Sequence, residues 1–283
     1  MRESPITSIE IRVEGAHQRP LWSTLTLPEE RRGPVIVMAH GFLGFKDWAF
    51  FPWLSDFFAQ AGFPTLRFNF SGSGMGHYRD GAFTELEAFQ RDTFSRQVED
   101  LRVVISALNR GQAAPELPPQ KEVFLWGHSR GGAVCLLTAA LNPQVQGVAT
   151  WATIARVNRY FYETKQAWRK DGFLPCESSR TGQTLRYSLD FLEDAEQWGK
   201  EGDVPAYLNR VEIPVFLVHG SEDTSVPPEE SESLAAIHPH AQLAILAKAN
   251  HKFNSSHPFT DPPGVLIEAA QKTVRFYESL LSE

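Results

Sequence analysis

The chain has 283 residues, a formal net charge of −7, 42% hydrophobic and 22% charged residues, and two cysteines. That length accommodates one large core or two small ones. The acidic balance, without any basic tract, argues against nucleic acid and against an anionic membrane surface as partners. Cys135 and Cys176 suggest neither a disulfide framework nor a metal site. The opening stretch, Met1 to Glu14, shows no apolar segment of secretory type, and no apolar run approaches a membrane span. A soluble, cytoplasmic protein is the expectation.

In chain order, Ser8–Val13 and Leu21–Leu27 alternate polar and apolar residues, which predicts an antiparallel pair at a sheet edge. Val35–Ala39 is apolar throughout, the mark of a buried parallel strand. A helix is predicted around Trp48–Gln60 and a strand over Thr65–Phe70. Val98, Leu101, Ile105 and Leu108 recur at three- and four-residue spacing, so Thr93–Leu108 reads as an amphipathic helix. Gly111–Gln120 is a proline-rich loop. Val123–Trp126 is the next strand, Ala133–Leu141 a helix, and Gly147–Trp151 another strand. Val215–Val218 and Leu243–Leu246 are the last strands, and Val265–Leu281 is a closing helix. Strands alternating with helices, with apolar inner strands, predict an α/β protein whose mostly parallel sheet is covered on both faces.

Residues 155–210 break the alternation. No strand pattern is evident there, aromatic and charged residues abound, and helical stretches are predicted at Arg156–Arg169 and Arg186–Gly199. The interval is too long for a simple crossover. It predicts an inserted helical cap, with the core formed by 1–154 and 211–283. The aromatics Tyr160, Phe161, Tyr162, Trp168, Phe173 and Trp198 suit an apolar or aromatic pocket, but most are expected simply to pack the cap onto the sheet.

The chemistry is concentrated in Gly127-His128-Ser129-Arg130-Gly131-Gly132, set between a predicted strand and a predicted helix. Alone, Gly-x-Ser-x-Gly also occurs in ordinary glycine-rich turns. In this context it is the pattern of a nucleophile elbow, whose glycines permit a strained turn with close helix–strand packing. A serine hydroxyl needs a base to take its proton and a third group to orient that base. On a strand–elbow–helix framework the order is serine, acid, histidine. Asp223, just past the strand Val215–Val218, is the candidate acid, and Glu222 the solvent-facing alternative. His251, in the loop after Leu243–Leu246, is the candidate base, with His257 as competitor. His219 ends a strand and reads as a structural hydrogen-bonding residue. The His238–His240 pair lacks a third metal ligand. Phe42 and Arg130 are the candidate oxyanion donors through their backbone N–H groups, Gly41 letting the former turn inward. Ser71–His77 resembles a phosphate loop but lacks the third glycine of a dinucleotide site, and is better read as a glycine-rich loop beside the active site.

Elbow, acid, histidine and oxyanion loop together resemble the α/β-hydrolase fold superfamily. His40–Gly44, Phe68–Gly74 and Gly127–Gly132 resemble the branch containing bacterial cinnamoyl and feruloyl esterases, dienelactone-hydrolase-like proteins and serine aminopeptidase-like lipases. The resemblance spans essentially the whole chain outside the cap. It implies a serine hydrolase that cleaves small-molecule carboxylic esters through an acyl-enzyme, with no metal or organic cofactor. At two positions the chain departs from that branch: Asn69 stands where Asp is frequent, and Arg130 where Gln or Met is frequent. The Arg130 side chain would either pair with an acidic neighbour or favour an acidic substrate group. Thioester, peptide or acyl-transfer chemistry uses the same triad, and a non-catalytic ligand-binding homologue would keep the same pocket. An oligomer is compatible with the sequence but not indicated by it.

Overall fold

The computed structural model describes residues 5–77 and 81–281. The first half of the chain forms β1 (Ile6–Glu14), β2 (Pro20–Pro28), β3 (Val35–Ala39), α1 (Phe51–Gln60), β4 (Thr65–Phe68), α2 (Leu86–Gln90), α3 (Phe94–Asn109), β5 (Val123–His128), α4 (Arg130–Ala139) and β6 (Val145–Trp151). The second half forms α5 (Tyr162–Asp171), β7 (Phe173–Glu177), β8 (Thr184–Ser188), α6 (Leu189–Lys200), α7 (Asp203–Leu208), β9 (Val215–Gly220), α8 (Glu229–Ile237), β10 (Ala241–Leu246) and α9 (Gly264–Ser279).

Eight strands make one sheet in the order β1-β2-β4-β3-β5-β6-β9-β10. β2 runs antiparallel to both of its neighbours, and the pairs from β4 to β10 are parallel. The inner strands are buried on both faces, so their alternate side chains feed two separate apolar layers. Ile36, Met38, Phe124, Trp126, Trp151 and Val218 pack with α1 and α9, through residues such as Phe51, Leu54, Leu266 and Ala270. Val35, Val37, Leu125, Val148 and Leu217 pack with α3 and α4 on the opposite face, through Leu101, Ile105, Val134 and Leu137. This is the α/β-hydrolase fold that the sequence suggested. Because β3, β5, β9 and β10 run the same way, the loops leaving them all open at one edge of the sheet. That edge is where open parallel sheets hold ligands. Among the described residues, no helix is long and apolar enough to cross a membrane.

Several boundaries differ from expectation. α1 begins at Phe51, not near Trp48, because Ala49 takes a positive φ of 46° and Pro52 sits in the first turn. α2 and α8 were not anticipated; the first has five residues and the second is mostly polar in its first turn, so neither offers a strong periodic pattern. The largest correction lies in 155–210, where β7 and β8 form an antiparallel hairpin, Phe173 opposite Ser188 and Glu177 opposite Thr184. Leu185 and Tyr187 are buried between exposed Thr184 and Arg186, a period-two pattern only a few residues long. The helical stretch expected from Arg186 therefore starts at Leu189, and the one expected from Arg156 starts at Tyr162. The expectation that most aromatics of the interval pack inward holds for only two of the six: Trp168 and Trp198 are buried, Tyr160 and Phe173 are half-buried, and Phe161 and Tyr162 are exposed.

Candidate active site

Ser129 caps the amino end of α4 directly after β5, with φ 56° and ψ −121°. A positive φ at a non-glycine residue is strained and persists only where its surroundings fix it. Here the Ser129 N–H donates to the Trp151 carbonyl at 2.8 Å, and the Ser129 carbonyl accepts from Gly132 N–H at 3.0 Å. The neighbouring glycines leave no room for a side chain. A Cβ at Gly127 would sit 2.4 Å from the Gly131 carbonyl oxygen, and one at Gly131 would sit 2.3 Å from the Ala39 carbonyl oxygen. Those obstacles are backbone, which cannot rotate away. Gly131→Ala is therefore expected to cost about 1–3 kcal/mol, seen as a lowered Tm in thermal unfolding.

Asp223 and His251 meet behind the serine. Asp223 Oδ1 accepts from Ser225 N–H and Val226 N–H, both at 2.9 Å, which fixes the carboxylate plane. Oδ2 accepts from His251 Nδ1 at 2.7 Å and from His219 Nε2 at 3.1 Å. His219 Nε2 also reaches the Val226 carbonyl at 2.9 Å. A carbonyl only accepts, so His219 carries its proton on Nε2, and its Nδ1, 2.7 Å from Ser231 Oγ, is left to accept. Burial alone would raise the Asp223 carboxyl, but the hydrogen bonds from His219, His251 and Val226 more than offset it and hold it well below the usual carboxylate range. His219 thus has the structural role expected of it. Glu222 is exposed and its side chain is not part of this cluster. His257 accepts from Ala49 N–H through Nδ1 at 3.1 Å and stacks on Trp48, away from Asp223.

Ser129 and His251 line one cavity of about 410 Å³. Its walls include Phe42, Phe94, Ile154, Val157, Tyr160 and Val226. The loop after β3 closes over the serine: a Cβ on Gly41 would lie 3.1 Å from Ser129 Cβ. Gly44 N–H donates back to the Gly41 carbonyl at 3.1 Å, and Leu43 takes a φ of 56°, so the loop is a tight turn. Among the described residues neither Phe42 N–H nor Arg130 N–H is taken by a backbone acceptor. Both residues line the cavity with Ser129. His40, in the same turn, is held neutral by burial, its pKa pushed down to about 4.

Sequence reasoning did not single out His128 or Asp92 for a role here. His128 Nε2 donates to the His251 carbonyl at 2.9 Å, tying the elbow strand to the loop that carries the candidate base. Burial pushes the His128 pKa down to about 3, so it stays neutral and serves as a brace. A signal existed: Phe124, Trp126 and His128 share one face of β5, which marks His128 as interior. Asp92 precedes the N-cap of α3, where Thr93 Oγ1 accepts from Arg96 N–H at 3.1 Å. Its carboxylate lies 3.8 Å from Arg130 Nη1 and accepts from Gln97 Nε2 at 2.6 Å. Asp100 accepts from Ser71 N–H at 2.8 Å and Asp92 packs against Gly72, so the glycine-rich loop rests on these two acids. Asn69 also acquires a reason: its Oδ1 accepts from Lys46 N–H at 2.7 Å while its Nδ2 donates to the Gly76 carbonyl at 3.0 Å, which an aspartate could not do.

Burial pushes both Asp92 and Asp100 up to about 7; Arg130 offsets part of this at Asp92, and Ser71 part at Asp100. In the unfolded chain such carboxyls titrate near about 4. The folded state therefore retains protons that the unfolded state releases, and stability present below about pH 4 is lost as pH rises through about 7. Asp100→Asn keeps an acceptor for Ser71 and removes the buried charge. Its Tm is expected to fall less than that of wild type between about pH 5 and about pH 8; paired thermal melts at the two values check this.

Comparisons with known proteins agree with this fold. The chain is 27% identical over 243 residues to a 31.7 kDa protein of the traX-finO intergenic region of Escherichia coli, covering 75% of this chain and 80% of that one. It is 25% identical over 278 residues to the serine hydrolase BPHL of Mus musculus, covering 93% of this chain and 86% of that one. Among solved structures it resembles Est1E from Butyrivibrio proteoclasticus with ferulic acid bound, at a TM-score of 0.71 and 17% identity, covering 97% of this chain and 100% of that one. At that identity the likeness speaks for the fold. A model of the Alpha/beta hydrolase family matches residues 36–269. The chain belongs to the alpha/beta hydrolase family.

Proposed function

We propose that the protein is a serine hydrolase that cleaves carboxylic esters, with Ser129 as nucleophile, His251 as general base and acid, and Asp223 as the group that orients His251. The observation that carries this reading is the 2.7 Å bond from His251 Nδ1 to Asp223 Oδ2, with His251 and Ser129 on the wall of one cavity. That bond puts the proton on Nδ1 and leaves Nε2 free to take one from the serine.

The steps follow. Ser129 Oγ attacks the acyl carbon as His251 takes its proton. The carbonyl oxygen gathers negative charge, which Phe42 N–H, Arg130 N–H and the amino end of α4 receive; each such donor is worth about 3–4 kcal/mol at the transition state. The bond to the alkoxy oxygen then breaks, and His251 gives its proton to the departing alcohol. Water, deprotonated by His251, attacks the acyl-enzyme, the serine ester bond breaks as His251 returns that proton to Ser129 Oγ, and the acid leaves. None of these steps calls on a metal or organic cofactor. Residues 155–210 serve as a cap over the cavity, to which Val157, Arg159 and Tyr160 contribute.

Initial rates on p-nitrophenyl esters from acetate to decanoate, and on methyl ferulate, test the reading. Measurable turnover with a defined acyl preference is expected. Folded protein that turns over none of them, but does turn over a thioester or peptide, would move the same triad to that chemistry.

A further inference from the structure

The chain is acidic overall, at −7. Yet the permanently charged side chains on the wall of the Ser129 cavity are Arg130 and Arg159, and no carboxylate lines it among the described residues. Asp223 does not count against this, since its side chain is fully buried behind His251. A cleft with low-dielectric walls and one sign of charge concentrates ligands of the other sign.

Arg130 is held largely by the faces of aromatic rings. Its guanidinium carbon lies 4.6 Å from the Phe42 ring centroid, 4.9 Å from that of Phe191, 5.2 Å from that of Phe94 and 5.4 Å from that of Tyr187. Aromatic rings fix a guanidinium without consuming its N–H groups in ordinary hydrogen bonds. Nη1 donates to the Tyr187 hydroxyl at 2.6 Å and faces Asp92. A guanidinium has five N–H donors. Tyr160, itself on the cavity wall, is a further hydrogen-bond partner of the guanidinium, so the donors beyond these two phenols are the ones the cavity can draw on. Asp92, pushed up to about 7 by burial, only partly neutralises Arg130 near neutral pH. Arg159 is pinned by Glu230, whose Oε1 lies 3.1 Å from Arg159 Nη2 while its Oε2 accepts from Ala155 N–H at 2.6 Å. This fixes one end of Arg159, which also forms part of the cavity wall.

We propose that the substrate of this site carries a carboxylate on an apolar or aromatic body, which Arg130 and Arg159 receive while Ser129 attacks the acyl carbon. The inference rests on the serine-hydrolase reading above for its chemistry, though not for its charge preference. A planar guanidinium edge matches a carboxylate with two parallel hydrogen bonds, and Phe42, Phe94 and Tyr160 supply the apolar wall.

The test compares p-nitrophenyl hydrogen glutarate with its methyl ester, which differ by one charge at the far end of the acyl chain. Wild type is expected to favour the anionic ester in kcat/KM by about tenfold or more. Arg159→Gln and Arg130→Gln are each expected to cut that ratio by about tenfold, chiefly through KM. Arg159 is the more exposed of the two, so its variant keeps the test intact if Arg130→Gln does not fold. A wild-type ratio at or below one, or a ratio unmoved in both variants, would overturn the proposal. Calorimetric titration of both esters into Ser129→Ala reads the same preference without turnover. Tighter binding of the anionic ester there supports the carboxylate site even if hydrolysis fails, and equal or weaker binding overturns it.

Discussion

Ser129→Ala is expected to lower kcat for ester hydrolysis by about 10⁴- to 10⁶-fold, with little change in Tm. The size follows from the division of labour. Without Oγ there is no acyl-enzyme, and only the oxyanion donors and substrate binding remain to assist attack by water. The small effect on stability follows from the local structure. Ser129 holds its φ of 56° through backbone bonds to Trp151 and Gly132, and alanine pays the same steric cost at that φ as serine. Its Oγ makes no side-chain hydrogen bond among the described residues that the substitution would orphan. Rates measured beside a thermal melt separate the two effects. Hydrolysis within about tenfold of wild type would remove Ser129 from the mechanism.

Asp223→Asn should rank second, with kcat down by about 10⁴-fold and the backbone framework retained. The amide oxygen can still accept from Ser225 and Val226 N–H, as Oδ1 does at 2.9 Å in the native protein. The amide nitrogen would then face His251 Nδ1 and His219 Nε2, where Oδ2 now accepts from both. Two donors cannot share one bond, so His251 would turn its lone pair to the amide and carry its proton on Nε2. A base protonated toward the serine cannot take the serine's proton. The loss should therefore lie in kcat, with KM changed far less, and steady-state rates on one ester across a pH series would show it. The native carboxylate also sets a sign for stability. Its folded pKa is depressed, so its contribution is present above the unfolded value of about 4 and is lost as pH falls below that toward the folded value.

The sheet was legible in the sequence where both faces of a strand are buried. Val35–Ala39 is bounded identically in sequence and structure, and Val123, Val215 and Leu246 all fall within the strands expected. A continuous apolar run flanked by turn residues has few other readings. The positions of Ser129 and Asp223 were legible for a related reason: each follows such a strand, and parallel strands deliver their exits to one edge; His251 follows β10, an edge strand that exposes Leu243 and Ile245 yet still reads as a short apolar run. The hairpin Phe173–Ser188 was not legible, because five-residue strands with Pro175 in one of them carry too short an alternation to stand out. Nor was the environment of Arg130. The residues that surround its guanidinium, Phe42, Asp92, Phe94, Tyr187 and Phe191, come from three distant stretches of the chain, and only the tertiary fold assembles them. The same holds for His219, whose sharing of Asp223 Oδ2 depends on the turn through Val226.

The most direct measurement is covalent labelling with a fluorophosphonate, followed by mass spectrometry of the intact protein and its peptides. The Ser129 oxygen would attack phosphorus and fluoride would leave, a reaction that needs an activated serine but no knowledge of the natural substrate. The proposed mechanism predicts a single adduct on the peptide containing Ser129, abolished in Ser129→Ala and strongly slowed in His251→Ala. Folded protein that stays unlabelled, or that is labelled at another serine with Ser129 untouched, would contradict it.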